Sequence, residues 1–174
     1  MGNQFGFRKG IATEDAIFKL TNEILNALKN KTMTGSIFCD LEKAFNSINH
    51  DMLLSKLPHD GITGKAKLLL RSYLYNRYQR VYITNSYLNS NTASKWTKLN
   101  YGVPQGLILH PLLYLVYINF LPKAVEHKAL PILFSDVTSI LLTSHNNIHM
   151  QSDLNIVFEQ LNKWFKSNLL FFEF

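Results

Sequence analysis

Two carboxylates occupy matching settings in this chain. Residues 36–41 read SIFCDL and residues 132–137 read ILFSDV. Aligned, Ile37-Phe38-Cys39-Asp40-Leu41 stands against Leu133-Phe134-Ser135-Asp136-Val137, each being aliphatic, Phe, small, Asp, aliphatic. Both segments read as short buried strands bounded by turn residues. If the strands are neighbours in one sheet, Asp40 and Asp136 converge at one edge. Like charges that close repel unless a cation lies between them, and hard carboxylate oxygens suit Mg²⁺ or Mn²⁺. The competing reading of Asp136 is a plain hairpin turn, because Ser-Asp favours turns.

The elements around these two residues follow from periodicity. Thr13 is placed to cap a helix whose first turn carries Glu14 and Asp15. Ile17, Leu20, Ile24 and Leu28 mark one face of that helix. The first Asp-bearing strand follows Gly35; residues 42–57 and 64–75 read as helices. Segments 78–84 and 95–100 read as one pair of strands around the polar loop 85–94. GVPQG (102–106) is a turn before an apolar helix, and a hairpin at 131–143 carries Asp136. A helix at 148–166 places Leu154, Val157, Phe158, Leu161, Trp164 and Phe165 on one face. The final LLFFEF reads as a strand stopped mid-element, so a truncated chain is expected. The order predicts an α+β fold: an antiparallel sheet covered by helices on one face.

The chain has 174 residues, 47% hydrophobic and 13% aromatic, enough for one domain with a real core. The apolar run 107–121 is interrupted by His110, Pro111 and Asn119 and is shorter than a membrane span, so a buried helix is expected and no membrane partner. The N-terminus has no apolar signal segment. Cys39 is the only cysteine, so there is no disulfide partner within the chain and a reducing, intracellular compartment is expected. The six histidines show no metal-ligand spacing and read as structural or surface residues.

The formal net charge is +6. No acidic residue occurs between Asp60 and Glu126, whereas eight basic residues do: Lys65, Lys67, Arg71, Arg77, Arg80, Lys95, Lys98 and Lys123. Tyr73, Tyr75, Tyr78, Tyr82, Tyr87 and Trp96 are interleaved with them. A one-sign field with aromatics fits a nucleic-acid surface. The same residues also fit a solvated basic face with its tyrosines in the core.

Four segments in order, QFGFRKG (4–10), FCDLEKAFNSINHDML (38–53), YGVPQGLILHPLLYLVYINFLP (101–122) and ILFSDVTSILL (132–142), resemble the reverse transcriptases of non-LTR, LINE-type retrotransposons, most closely the jockey-like group of animals. The resemblance covers nearly the whole chain. It implies a right-hand polymerase with a palm (about 36–60 and 101–174) and part of the fingers (about 1–35 and 61–100), the thumb being absent. It implies transfer of a deoxynucleotide to a primer 3′-hydroxyl on an RNA template, with Mg²⁺ or Mn²⁺ as cofactor, and a nuclear location. Asp40 and Asp136 match the catalytic, metal-holding carboxylates. Phe45 matches the sugar-gate position, or is a core Phe. Gln105 and Gly106 match the nucleotide-contacting motif, or form a type II turn after Pro104. Arg8, with Lys9, matches a fingers residue near the nucleotide, or sits in a solvated turn. Lys65, Lys67 and Arg71 are expected along the nucleic-acid path.

Several positions depart from the family pattern. Val137 stands where the second Asp of the paired-Asp turn is usual, Ser135 where a small Ala is, and Asn46 and Phe120 where Asp is. Leu107 and His110 replace small residues after PQG, and Ile11-Ala12 replaces Arg-Ser. These changes read as decay of an unselected copy. Two readings therefore stand: an RNA-directed DNA polymerase domain, or a catalytically inactive palm remnant that at most binds nucleic acid; with Val137 in place of a carboxylate, this copy is expected to be inactive.

Overall fold

A computed structural model of the chain describes residues 2–41, 43–85, 90–103 and 108–171, apart from the side chains of Asn85 and Ser90. Its centre is a three-stranded antiparallel sheet in the order β1-β7-β6, from β1 (Met33–Asp40), β6 (Leu130–Phe134) and β7 (Val137–Ser144). The pairing of β1 with β7 runs unbroken from Met33↔Ser144 to Asp40↔Val137. β6 and β7 form the expected hairpin, joined by Ser135 and Asp136 alone, with Ser135 in the left-handed region at φ 55°.

Alternation along the strands assigns the two faces. Thr138, Ile140 and Leu142 of β7 are buried. Gly35, opposite Leu142, meets Met150 and Leu154 of α6 (Asn147–Ser167), so α6 covers this face. A Cβ at Gly35 would lie 2.8 Å from Met150 Sδ and 3.0 Å from Leu154 Cδ1, so those side-chain ends would have to shift. Helix α6 runs as the periodicity predicts and buries Val157, Leu161 and Phe165. The core continues into α4 (Leu109–Ile118), where Leu113 through Ile118 are all buried. A helix apolar on every side belongs in the interior. The apolar run is split: α4 ends before Asn119, and α5 (Leu121–Val125) follows. Among the described residues no helix is long and apolar enough to cross a membrane.

Helix α1 (Thr13–Lys29) packs against β6 and β1. Two details of its sequence reading are corrected. Its N-cap is Ala12, not Thr13; Ala12 N–H donates to the Asp15 carboxylate at 2.7 Å, which closes the first turn. Its inward face is Ala16, Leu20, Ile24 and Ala27, with only the two alanines fully buried. Ile17 is 58% exposed and Leu28 64% exposed. Small residues let the helix approach the sheet closely, and that contact sets its rotation more than the larger side chains do.

Two further readings are corrected. The helix predicted over 42–57 is only α2 (His50–Lys56), continued by a 3₁₀ turn over Leu57–Asp60. Residues 43–48 are diverted because their carbonyls bond elsewhere. Val103 N–H donates to Phe45 O at 3.2 Å and Gly102 N–H to Ile48 O at 2.8 Å. Asn49 then starts α2 by accepting from Met52 N–H at 3.0 Å. After α3 (Gly64–Leu74), the single strand pair predicted for 78–100 is two ribbons. β2 (Tyr78–Gln79) pairs with β5 (Thr97–Lys98), and β3 (Tyr82–Asn85) pairs with β4 (Ser90–Ala93). Between Gln79↔Thr97 and Tyr82↔Ala93 the return strand has one residue more than the outgoing one. That extra residue is a bulge. The predicted terminal strand is not seen at 169–171, where α6 ends in a turn with Leu169 at φ 52°; residues 172–174 lie outside the described residues.

Lys56 ties three helices together. Its Nζ donates to Tyr117 O at 2.5 Å and to Asn168 Oδ1, and lies 4.3 Å from the Tyr117 ring centroid and 5.1 Å from that of Trp164. Burial lowers its pKa from 10.5 to about 8, partly opposed by Asp60. Burial raises the pKa of Tyr117 and Tyr114. The unfolded chain therefore binds more protons than the folded one between about pH 8 and 10, and stability rises with pH there. Above about pH 10 the unfolded chain loses phenolic protons first and stability falls. Urea midpoints measured from pH 7 to 11 are expected to peak near pH 10. Lys56→Met is expected to remove the rising limb, and a flat wild-type profile would count against the buried amine.

Candidate active site

The register of β1 on β7 places Asp40 opposite Val137, with Asp136 the next residue back in the hairpin turn. The two sequence-matched carboxylates thus meet at one end of one sheet, as the strand echo predicts. Asp40 is exposed and Asp136 half-buried. Val137 is exposed beside them and supplies no oxygen. Asp40 and Val137 share the face of the sheet opposite α6. Further along that face, Ile132, Phe134, Val137 and Ser139 line an apolar groove with Ala16, Ile17 and Leu20 of α1.

The turn carrying Asp136 is held from outside the sheet. Leu133 N–H donates to Asn3 O and Phe5 N–H donates to Leu133 O, both at 2.8 Å. Gly6 N–H donates to Gln4 Oε1 at 2.7 Å. A Cβ at Gly6 would lie 2.2 Å from Ser135 N. Only glycine lets this segment lie against the turn. Sequence reasoning passed over Gly6, although it stands inside QFGFRKG. Arg8 follows, exposed, with Nη1 donating to Gln4 O at 3.1 Å.

Below the carboxylates lies a residue the sequence reading missed. Tyr114 of α4 is fully buried, and its hydroxyl has no hydrogen-bond partner among the described residues. Burial raises its pKa most, then Asp136, then Asp40. One hydroxyl therefore feels both carboxylates. The signal was a phenol within the apolar run LLYLVY. The Phe45 ring packs 4.6 Å from the Tyr114 ring, 4.2 Å from the His110 ring and 6.2 Å from the Phe7 ring. Phe45 is half-buried, so it is packed on the core and next to the site at once. His110 has its pKa lowered by burial, and its Nε2 also lacks a partner among the described residues. Gln105 and Gly106 lie outside the described residues. The strand leading to them is anchored at Phe45 by the Val103 bond.

Among the described residues no three His, Cys, Asp or Glu side chains stand close enough to hold a metal ion. The donor set is two carboxylates, neither of them in a salt bridge among the described residues, with an orphaned hydroxyl beneath. That fits Mg²⁺, which is commonly held by one or two carboxylates and completed by substrate phosphates and water.

The basic residues divide. Lys67 and Arg71 are one turn apart on α3, whereas Lys65 points to the other side of the helix. The Arg71 guanidinium lies 5.5 Å from the Tyr75 ring centroid, and the Tyr75 hydroxyl donates to Asp51. Tyr73 and Tyr75 are half-buried, but Tyr78, Tyr82 and Trp96 are exposed on the ribbons. A cleft of about 650 Å³ lies at the base of the ribbons, lined by Arg77, Gln79 and Lys98 on one side and by Asn46, Gly102 and Val103 on the other.

A palm sheet with carboxylates at the mouth of a hairpin defines a template-directed nucleic-acid polymerase domain. Solved telomerase structures share this fold. That of Candida albicans telomerase with a fragment of telomeric RNA covers 99% of this chain and 31% of its own, with TM-score 0.68 at 10% identity. Apo telomerase from Candida tropicalis gives TM-score 0.67 at 13% identity, over 99% of this chain and 32% of its own. In sequence, the family described as reverse transcriptase (RNA-dependent DNA polymerase) matches residues 1–168, and the chain belongs to it. It is 34% identical over 155 residues to "Probable RNA-directed DNA polymerase from transposon BS" of Drosophila melanogaster, covering 82% of this chain. It is 27% identical over 175 residues to the RNA-directed DNA polymerase from the mobile element jockey of the same species, covering 92% of this chain. The chain is thus a reverse transcriptase domain of the non-LTR retrotransposon type, and it spans 16% and 18% of the length of those two relatives.

Tyr114→Phe removes a buried hydroxyl with no partner, a group that costs about 1–3 kcal/mol. In buffer free of divalent ions this variant is expected to raise the urea midpoint, by about 1 kcal/mol of stability. A loss of stability would show that the hydroxyl is bonded in the native state.

Proposed function

We propose that this domain extends a primer 3′-hydroxyl with deoxynucleotides on an RNA template. The observation that carries the reading is the convergence of Asp40 and Asp136 at one sheet end above Tyr114. Asp40 and Asp136 are the residues that would hold Mg²⁺ or Mn²⁺, whose chemistry is to stabilise charge developing on phosphoryl oxygens. Tyr114, buried and protonated, floors the site and keeps water from reaching the carboxylates from below. The Phe45 ring, wedged against Tyr114 and His110, narrows the space for the sugar of an incoming nucleotide and favours one without a 2′-hydroxyl. Gln105 and Gly106, outside the described residues, would contact the nucleotide and template, and Arg8 would approach the nucleotide. Residues 36–60 and 101–174 form the palm; residues 61–100 and α1 belong to the fingers. Residues 3–5 pair with Leu133 and so lie against the palm. Lys67 and Arg71 line the nucleic-acid path. The inactive-remnant reading rests on substitutions such as Val137, and no comparison favours it.

Deoxynucleotide incorporation on a primed RNA template, with Mg²⁺ and separately with Mn²⁺, tests the proposal. The 174-residue chain is expected to incorporate label, and Asp40→Ala and Asp136→Ala to lose on the order of a thousandfold, several kcal/mol of charge stabilisation. Wild type no better than Asp40→Ala would sink the active reading.

A second measurement addresses the path. Binding of a primer–template duplex is expected to weaken with added salt. Lys67→Ala with Arg71→Ala is expected to lower the slope of log K against log salt by about 0.9 for each phosphate that the side chains neutralise. Lys65→Ala, on the far side of α3, is the internal comparison and is expected to change the slope less.

A further inference from the structure

The paired ribbons β2–β5 and β3–β4 carry a face that the polymerase chemistry does not use. Side chains alternate along a strand, so Tyr78 points away from the side of Gln79 in β2 and Tyr82 away from that of Ile83 in β3, with Arg80 in the link between the two ribbons. Lys98 is paired with Tyr78. The Arg80 guanidinium lies 4.7 Å from the Trp96 ring centroid, which puts Trp96 against that link. Tyr78 and Tyr82 are each 57% exposed and Trp96 is 61% exposed. The tyrosines of this ribbon are therefore not core residues. The opposite face carries Gln79 and Ile83 instead.

An exposed tryptophan stacked on a guanidinium, flanked by two exposed tyrosines, costs free energy in water unless something covers it. The charge says what does: no acidic residue lies anywhere between Asp60 and Glu126, so the face meets an anion. Flat rings alternating with cations match a single strand, whose bases offer π-faces and whose phosphates offer charge. A duplex would bury its bases and leave these rings unused. A cleft at the ribbon base is lined by Lys98, Arg77 and Gln79 and by Asn46 of the segment that carries Phe45.

We propose that the Tyr78–Arg80–Tyr82 face of the ribbon, with Trp96 and Lys98, binds single-stranded RNA by base stacking. The choice of RNA over DNA rests on the reading of the domain as an RNA-directed polymerase; the stacking surface itself does not.

The test uses the 174-residue chain and a short oligouridylate, followed by anisotropy and by tryptophan fluorescence. The chain has two tryptophans, Trp96 and the half-buried Trp164. Oligouridylate is expected to quench the emission, and Trp96→Phe to abolish the quenching while keeping most of the affinity. Trp96→Ala is expected to weaken binding about tenfold, the share of one base–aromatic stack. Arg80→Gln is expected to lower the salt slope by about 0.7, one phosphate on a single strand. Ile83→Thr, on the opposite face, is expected to leave binding unchanged. Affinity unaltered by Trp96→Ala, or weakened equally by Ile83→Thr, would overturn the proposal. So would a dimer that buries Trp96 and is not displaced by oligouridylate. Tighter binding of the matching deoxyuridylate would overturn the assignment to RNA. Primer extension separates the two readings: if it persists in Trp96→Ala with RNA affinity unchanged, the ribbon proposal fails and the polymerase reading stands. If wild type shows no extension but binds through Trp96, the reverse holds.

Discussion

The antiparallel ladder between β1 and β7 is the constraint on which everything else in this domain depends. It fixes which residue faces which, and a slip of one position would send every side chain of β1 to the other face. In the observed register Cys39 points to the core and Asp40 to the open side. The hairpin adds a second fixed point, because a loop of Ser135 and Asp136 allows no freedom in the pairing of β6 with β7. Gly6 pins that loop from outside. Two carboxylates nearly a hundred residues apart in sequence are thus brought together by backbone hydrogen bonds, not by attraction between themselves.

What lies beneath the ladder keeps it closed. α4 fills the space with side chains that are apolar on every side, so the sheet cannot open without exposing Leu113, Val116 and Ile118. Tyr114 and His110 are the exceptions. Each brings a polar atom without a partner among the described residues, and both lie where Phe45 packs. Unpaired polar atoms in the interior are destabilising. Other buried polar atoms without a partner among the described residues occur at Gln4, Asp60, Tyr73, Thr138 and Gln160, so these two are part of a wider set, set apart by their shared contact with Phe45. Lys56 works in the opposite sense. Its buried amine is bonded to Tyr117 and Asn168, and it holds α2, α4 and α6 in one arrangement.

The legible parts of the sequence were those with a single strong period. α3, α6 and the β6–β7 hairpin fell within a residue or two of their predicted positions, and the aliphatic-Phe-small-Asp echo located both carboxylates. The illegible parts were decided by contacts that no local pattern contains. Residues 43–48 have helical composition, but the carbonyls of Phe45 and Ile48 accept from Val103 and Gly102, far along the chain. α1 turned Ala16 and Ala27 inward along with Leu20 and Ile24, so the reading by its larger residues was off by a small rotation that exposes Ile17 and Leu28. The ribbon was misread as one strand pair because a single extra residue at the bulge leaves no trace in composition. Tyr114 was hidden by its own surroundings, since one hydroxyl in an apolar run looks like core until its neighbours are known.

The distribution of charge separates two kinds of work in one small domain. Four acids outside the site are engaged locally: Asp51 with Tyr75, Asp60 with Asn119, Asp153 with Lys128, and Glu23 with Lys19. The two ion pairs are worth little to stability at the surface, but Lys128 and Lys19 offset negative charge in the field that a nucleic acid would meet. Asp40 and Asp136 are left as the negative centre at the sheet end, while the stretch from 61 to 125 is positive throughout. A polyanion approaching this surface is attracted along α3 and the ribbon and repelled at the carboxylates unless it arrives with a cation. The same arrangement that draws a strand across the domain therefore makes its phosphates acceptable at the sheet end only in company with a divalent ion.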